Sequence, residues 1–182
     1  MKRYATIVAD PPWEIARRIA AGGRRKRATE VPYDFMSLDD ICNLSVPAED
    51  DAHLFLWCTR KVFREGGGVQ VARAWGFEPC AEIIWGLRNP GMGSSVFVND
   101  HEPVLVARRG NLPFSDAIRG GVHFWRQPYI NGGKVHSAKP EAFLDLVEQL
   151  SPGPYLEMFS RRRARLGWDT WGNESLHGGE AS

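Results

Sequence analysis

Tyr4-Ala5-Thr6-Ile7-Val8-Ala9-Asp10-Pro11-Pro12-Trp13 decides the fold. Its apolar run, Tyr4 to Ala9, reads as a strand buried on both faces, of the kind found inside parallel sheets. Pro11 ends that strand because proline brings no N–H to the ladder. The paired prolines then hold the exit extended. A carboxylate is left at the C-terminal end of a strand, followed by a rigid carbonyl and an indole. In open α/β sheets that edge is where ligands bind. The competing reading of Asp-Pro-Pro-Trp is a plain turn, since Asp and Pro are turn residues.

Outward from this stretch, strand and helix signals alternate. Ser37 with Asp40 resembles a capping box and starts a short helix to about Leu44. His53 to Cys58 is a second apolar strand, and Thr59 is a candidate N-cap for a helix to about Trp75. Gly66-Gly67-Gly68 weakens or splits that helix, and it lacks the spacing of a phosphate-binding loop. Cys80–Trp85 and His101–Arg109 are the next strands, with a loop from Gly86 to Asn99 between them. Gly110 to Val135 reads as one long irregular segment. Pro140 opens the clearest helix, with Phe143, Leu144, Val147 and Leu150 at helical spacing, and Ser151-Pro152-Gly153 stops it. Strands follow at Tyr155–Ser160 and Gly167–Gly172. The alternation predicts one doubly wound, Rossmann-like α/β domain over residues 1–174, with a loose polar tail over 175–182.

The chain has 182 residues, 43% hydrophobic and 25% charged, which suits a single globular domain. A net charge of +1 gives no global attraction to nucleic acid, so any such binding must come from local clusters. Arg24, Arg25 and Arg27 crowd around Gly22 and Gly23 in one cluster. It is either a solvated loop or a grip on phosphates. Trp125 and Arg126 combine stacking and charge, as a base-binding surface would, though packing on the core fits them equally. Cys42, Cys58 and Cys80 are far apart, without metal-ligand spacing. They read as reduced thiols of a cytoplasmic protein, with no metal site. The apolar run before Asp10 is too short for a signal peptide, and no stretch suits a membrane span.

The chemistry that the opening stretch suits is methylation of an exocyclic aromatic amine. Such a nitrogen is a weak nucleophile because its lone pair is delocalised into the ring. Asp10 and the carbonyl of Pro11 can each accept one of its N–H groups, which favours a pyramidal nitrogen with its lone pair toward a methyl donor. Pro12 keeps the turn rigid, and Trp13 can stack on the base. Positioning and electrostatics then carry the catalysis.

The sequence resembles the MT-A70 family of S-adenosylmethionine-dependent adenine N6-methyltransferases. The resemblance runs through Ile7–Trp13, Pro32-Tyr33 with Met36-Ser37, Leu54–Trp57, Glu82–Trp85, His101-Glu102, His136-Ser137 with Lys139-Pro140-Glu141, Leu150–Gly153, Leu156–Phe159 and Gly172-Asn173. It implies a permuted Rossmann-like methyltransferase fold, with the catalytic motif near the start and much of the cofactor site near the end. It further implies that Asp10 and Pro11 bind the amine close to the donor, and that Trp13 and Tyr33 flank the base. Lys139 would meet the donor's methionyl carboxylate. Glu157, Phe159, Ser160 and Arg161 would line its ribose side, with Asn173 nearby. The sequence departs from eukaryotic members at Arg162 and Arg163, where they carry a His, and at Glu174, where they carry a Gln. The expected substrate is DNA; the alternatives are RNA, or a non-catalytic nucleic-acid-binding subunit of a methyltransferase pair. Assembly is open between a homodimer and a pairing with a partner subunit.

Overall fold

Strand β1 (Tyr4–Ala9) is buried along its whole length and hydrogen-bonds on both sides, as a continuous apolar run requires. In the computed structural model its neighbours are β2 (Ala48–Trp57) and β6 (Tyr155–Met158), both parallel to it. The structure describes residues 2–14, 35–91, 99–116, 124–126, 139–160 and 164–172. Among the described residues four further strands belong to the sheet: β3 (Glu78–Gly91), β4 (Asn99–Arg109), β5 (Phe124–Arg126) and β7 (Trp168–Trp171). Their spatial order is β5-β3-β4-β2-β1-β6-β7. Only β4 runs against the rest among these strands, pairing antiparallel with both β2 and β3. The N-terminal strand thus lies inside the sheet, flanked by strands from both halves of the chain, which is the permuted Rossmann-like arrangement. The order turns outward in opposite directions from β1, so the C-terminal ends of β1, β2 and β6 form the switch point where open α/β sheets place their ligand crevice.

Helices cover both faces. α1 (Leu38–Cys42), α2 (Arg60–Arg64) and α3 (Gly67–Ala74) pack on the face that carries Ile7, Ala9, Leu54 and Leu56. α4 (Glu141–Leu150) packs on the other, against Val8, Phe55 and Trp57. Alternate residues of β1 and β2 therefore serve opposite cores. Phe143, Leu144 and Val147 of α4 are fully buried, and each contributes about 2 kcal/mol of transfer free energy.

The expected elements are present with shifted ends. Ser37 caps α1 by accepting from Asp40 N–H, and Thr59 caps α2 in the same way from Val62 N–H. β2 begins five residues before His53, at Ala48; half-buried Glu49 and exposed Asp50 and Asp51 hide its first half in the sequence. β3 runs through Pro90 to Gly91, where a loop is predicted from Gly86; pairing with β4 at Gly86↔His101 and Gly91↔Asn99 brackets this stretch across a shift in register. The segment predicted to be irregular over 110–135 contains β5, in parallel register with β3. The 175–182 tail lies outside the described residues.

The predicted helix splits at Gly66, and each residue of the glycine run is glycine for its own reason. Gly66 sits at φ +79°, where a side chain is strained. A Cβ on Gly67 would lie 3.1 Å from Val62, and one on Gly68 would lie 2.6 Å from Cys58 Sγ. Gly68→Ala is expected to lower stability by roughly 1–3 kcal/mol in chemical denaturation without changing the fold.

A buried polar network pins the far end of this core. His53 is fully buried and stacks on Phe114, with ring centroids 3.7 Å apart. Its Nε2–H donates to the Leu112 carbonyl at 3.0 Å, so Nδ1 accepts from the Ser151 hydroxyl at 2.7 Å. Thr6 contacts the same hydroxyl and donates to the Pro152 carbonyl at 2.6 Å. Burial pushes the His53 pKa below its ordinary 6.5; the Leu112 carbonyl opposes that shift and the Arg108 charge adds to it. The unfolded chain binds this proton more tightly, so stability is full above about pH 6.5 and falls as pH drops below it. Thermal melts between pH 7.5 and 5.5 should show that loss, at no more than about 1.4 kcal/mol per pH unit, and His53→Gln should flatten it.

Candidate active site

Asp10 leaves the end of β1 with its N–H bonded to the Met158 carbonyl at the end of β6. The turn after it is closed by a bond from Trp13 N–H to the Pro11 carbonyl at 2.9 Å. Met36 N–H donates to the Pro12 carbonyl at 2.9 Å, and Glu14 N–H to the Met36 carbonyl at 3.1 Å. The segment is therefore locked on both sides. The Pro11 carbonyl already accepts one hydrogen bond, which leaves one lone-pair direction for a ligand.

Trp13 does not stand as an open plate against which a base could stack. It is 5% exposed and belongs to the core under α1 and α3. Its Nε1–H donates to the Trp57 carbonyl at 3.1 Å, across to the end of β2. A large apolar ring with one polar atom is buried when that atom finds a partner. Here the burial anchors the turn that carries Asp10.

Lys139, just before α4, reaches back to the end of β1. Its Nζ is 3.5 Å from Asp10 Oδ2 and 2.8 Å from Glu102 Oε2, and it lies 4.8 Å from the centroid of the Trp57 ring. Burial works against its charge, but Asp10 and Glu102 outweigh burial and raise its pKa above the ordinary value. Lys139 is thus a permanent cation between two carboxylates, partly shielded from water and resting on an aromatic face. Glu102 was not among the expected site residues. Its signal was faint: a carboxylate beside His101 within an apolar strand, just before Pro103. Trp57 is fully buried in this floor, and its indole N–H has no acceptor among the described residues. Bound ligands and ordered waters commonly satisfy such a donor.

Cys58, next along from Trp57, is not a nucleophile here. Burial and the Asp10 charge push its thiol up to about 12. The cysteines are free: Cys58 is buried, Cys42 half-buried and Cys80 exposed.

The ends of β6 and β7 form the other side of the crevice. Glu157 and Ser160 are both buried, and the Ser160 hydroxyl donates to Glu157 at 3.1 Å. Phe159 between them has φ +62°, a left-handed conformation that a bulky residue rarely adopts. Its N–H donates to the Trp171 carbonyl. Trp125 and Arg126 lie on β5 in register with Trp85 and Gly86, toward the edge of the sheet that carries Glu102. Arg24, Arg25, Arg27, Tyr33, Arg161 and Asn173 lie outside the described residues. No helix among the described residues is long and apolar enough to cross a membrane.

Comparison with known proteins agrees with this geometry. The MT-A70 family model matches residues 4–174. A type II methyltransferase, M.MunI of Mycoplasma sp, is 29% identical over 95% of this chain and 78% of its own length. The human N(6)-adenosine-methyltransferase catalytic subunit METTL3 is 28% identical over 94% of this chain, but this chain spans only 28% of METTL3. A non-catalytic subunit, MTB of Arabidopsis thaliana, is 30% identical over 57% of this chain. Trp13→Phe should lower stability by about 1–2 kcal/mol, because it leaves the Trp57 carbonyl without its donor. Equal melting temperatures for the two proteins would contradict the anchoring role.

Proposed function

The chain belongs to the MT-A70 family of adenine N6-methyltransferases, and we propose that it transfers a methyl group from S-adenosylmethionine to N6 of adenine in DNA. The observation that carries this reading is the Asp10 carboxylate at the mouth of the crevice, held by Lys139 beside Glu102. DNA is favoured because M.MunI, a type II methyltransferase, matches over most of its own length, whereas METTL3 is mostly additional chain.

The residues present fit this donor. Two carboxylates and one ammonium leave the cluster with one net negative charge. The donor carries a sulfonium, an ammonium and a carboxylate, hence one net positive charge. Its demethylated product is neutral, so the cluster favours binding of the donor over retention of the product. Glu157 sits at the end of the strand next to β1, where a carboxylate can accept from ribose hydroxyls. Lys139 is assigned to the donor's methionyl carboxylate, as a cation at this edge among the described residues.

When bound, the donor supplies an electrophilic methyl on sulfur. Asp10 accepts one N6–H and the Pro11 carbonyl the other, which draws the nitrogen toward a pyramidal shape. As the C–N bond forms and the C–S bond breaks, positive charge grows on N6. The Asp10 carboxylate stabilises that charge and accepts the departing proton. Lys139 and Glu102 hold Asp10 in place, so little reorganisation is needed during the step.

Arg24, Arg25 and Arg27, with Trp125, Arg126 and Tyr33, are assigned to the nucleic acid around the target base. The protein acts in the cytoplasm, either as a homodimer or with a partner subunit.

Labelled methyl transfer to matched duplex DNA, single-stranded DNA and RNA tests the proposal. Label on adenine N6 of DNA is expected, with Asp10→Ala slower by at least about 10²–10³-fold. Label on RNA alone would move the substrate to RNA. Undiminished transfer by Asp10→Ala would overturn the mechanism.

A further inference from the structure

We propose that Trp171 is the aromatic wall of the donor's adenosine site, an inference that rests on the S-adenosylmethionine reading above. Leu166 and Trp171 are large hydrophobics exposed to solvent, and Trp171 is 47% exposed. Trp171 ends β7, next to β6, on the edge of the sheet where Asp10 and Glu157 lie. A surface tryptophan anywhere else on this sheet would be unremarked; at the ligand edge it offers a flat apolar face.

The surrounding chain is built to hold that ring. Phe159 meets it in a T-shaped pair, with centroids 5.2 Å apart and planes at 72°. Phe159 adopts its left-handed φ of +62° while donating its N–H to the Trp171 carbonyl. Gly172 follows, and a Cβ there would lie 3.0 Å from Phe159 Cα and 3.1 Å from Ser160 N. The exits of β6 and β7 thus pack closely at a position that favours glycine. Unusual backbone conformations of this kind persist where the surroundings over-determine them, and they cluster at ligand sites. The same turn carries Glu157 and Ser160, one hydrogen bond apart. An indole with nearly half its surface in water, at the same strand-end edge as a buried carboxylate and hydroxyl, matches an adenosine laid across that edge: purine against the ring, ribose hydroxyls toward the polar pair.

Three proteins test this: the wild type, Trp171→Ala and Trp171→Phe. Binding of S-adenosylhomocysteine and of 5′-methylthioadenosine, which keeps the adenosine but lacks the amino acid, is measured by calorimetry. Tryptophan fluorescence is followed in the same titrations. Trp171→Ala should weaken both ligands by roughly tenfold, within the range for a base stacked on an aromatic ring. Trp171→Phe should restore most of the affinity, but lose the part of the quenching that Trp171 supplies in the wild type. Equal affinity of the wild type and Trp171→Ala would overturn the inference and leave the donor reading standing. A loss in Trp171→Ala that Phe does not restore would also overturn it, as would quenching identical in Trp171→Phe and the wild type. Failure of the wild type to bind either ligand would overturn the donor reading itself. Should Trp171→Ala not fold, the affinity and quenching of Trp171→Phe decide the matter.

Discussion

The ammonium of Lys139, held between Asp10 and Glu102, is the contact on which the site depends. It joins the exit of β1, the start of β4 and the approach to α4, three segments that are far apart in sequence. Charges taken partly out of water are costly unless paired, and removing one partner of such a group leaves the others uncompensated. The cluster is therefore a device for position rather than for stability. It keeps the Asp10 carboxylate at the end of a central strand, with the Lys139 ammonium over the fully buried Trp57. Asp10 could not be held there by the sheet alone, since the prolines that follow contribute no donors to the ladder.

The scaffold supplies what the cluster cannot. The parallel neighbours β2 and β6 fix the height of Asp10 through the register Ala9↔Leu56 and Ala9↔Met158. The Trp13 indole ties the turn to the end of β2, and the bonds with Met36 tie it to the segment before α1. Helices on both faces bury the sheet and leave its C-terminal edge for ligands, the general property of doubly wound folds. The exits of β6 and β7 add a carboxylate, a hydroxyl and an exposed aromatic ring to that edge.

Much of the fold was legible in the sequence because its signals are local. The apolar run ending at Asp10 was read as a buried strand, and Ser37 and Thr59 as caps. The spacing of Phe143, Leu144 and Val147 marked α4. Signals that depend on pairing were not legible. The first half of β2 is charged and reaches β1 only through Ala48↔Tyr4, the end of β3 is rich in Gly and Pro and reaches β4 only through Gly91↔Asn99, and β5 is three residues paired to β3. The residue types at the site were also easier to read than their roles. Trp13 was identified beside Asp10, but whether an indole faces a ligand or the core depends on contacts with Trp57, which lies on another strand. Glu102 was missed because nothing near it in the chain shows that Lys139 comes within 2.8 Å.

The most direct test of the ion cluster is a double-mutant cycle on Lys139→Met and Glu102→Gln, read as kcat/KM for methyl transfer to adenine. If Lys139 and Glu102 act together on Asp10, the two effects are strongly non-additive, with a coupling of about 1 kcal/mol or more. Effects that simply add would mean that the two residues act independently, and would contradict the cluster as the organiser of the site.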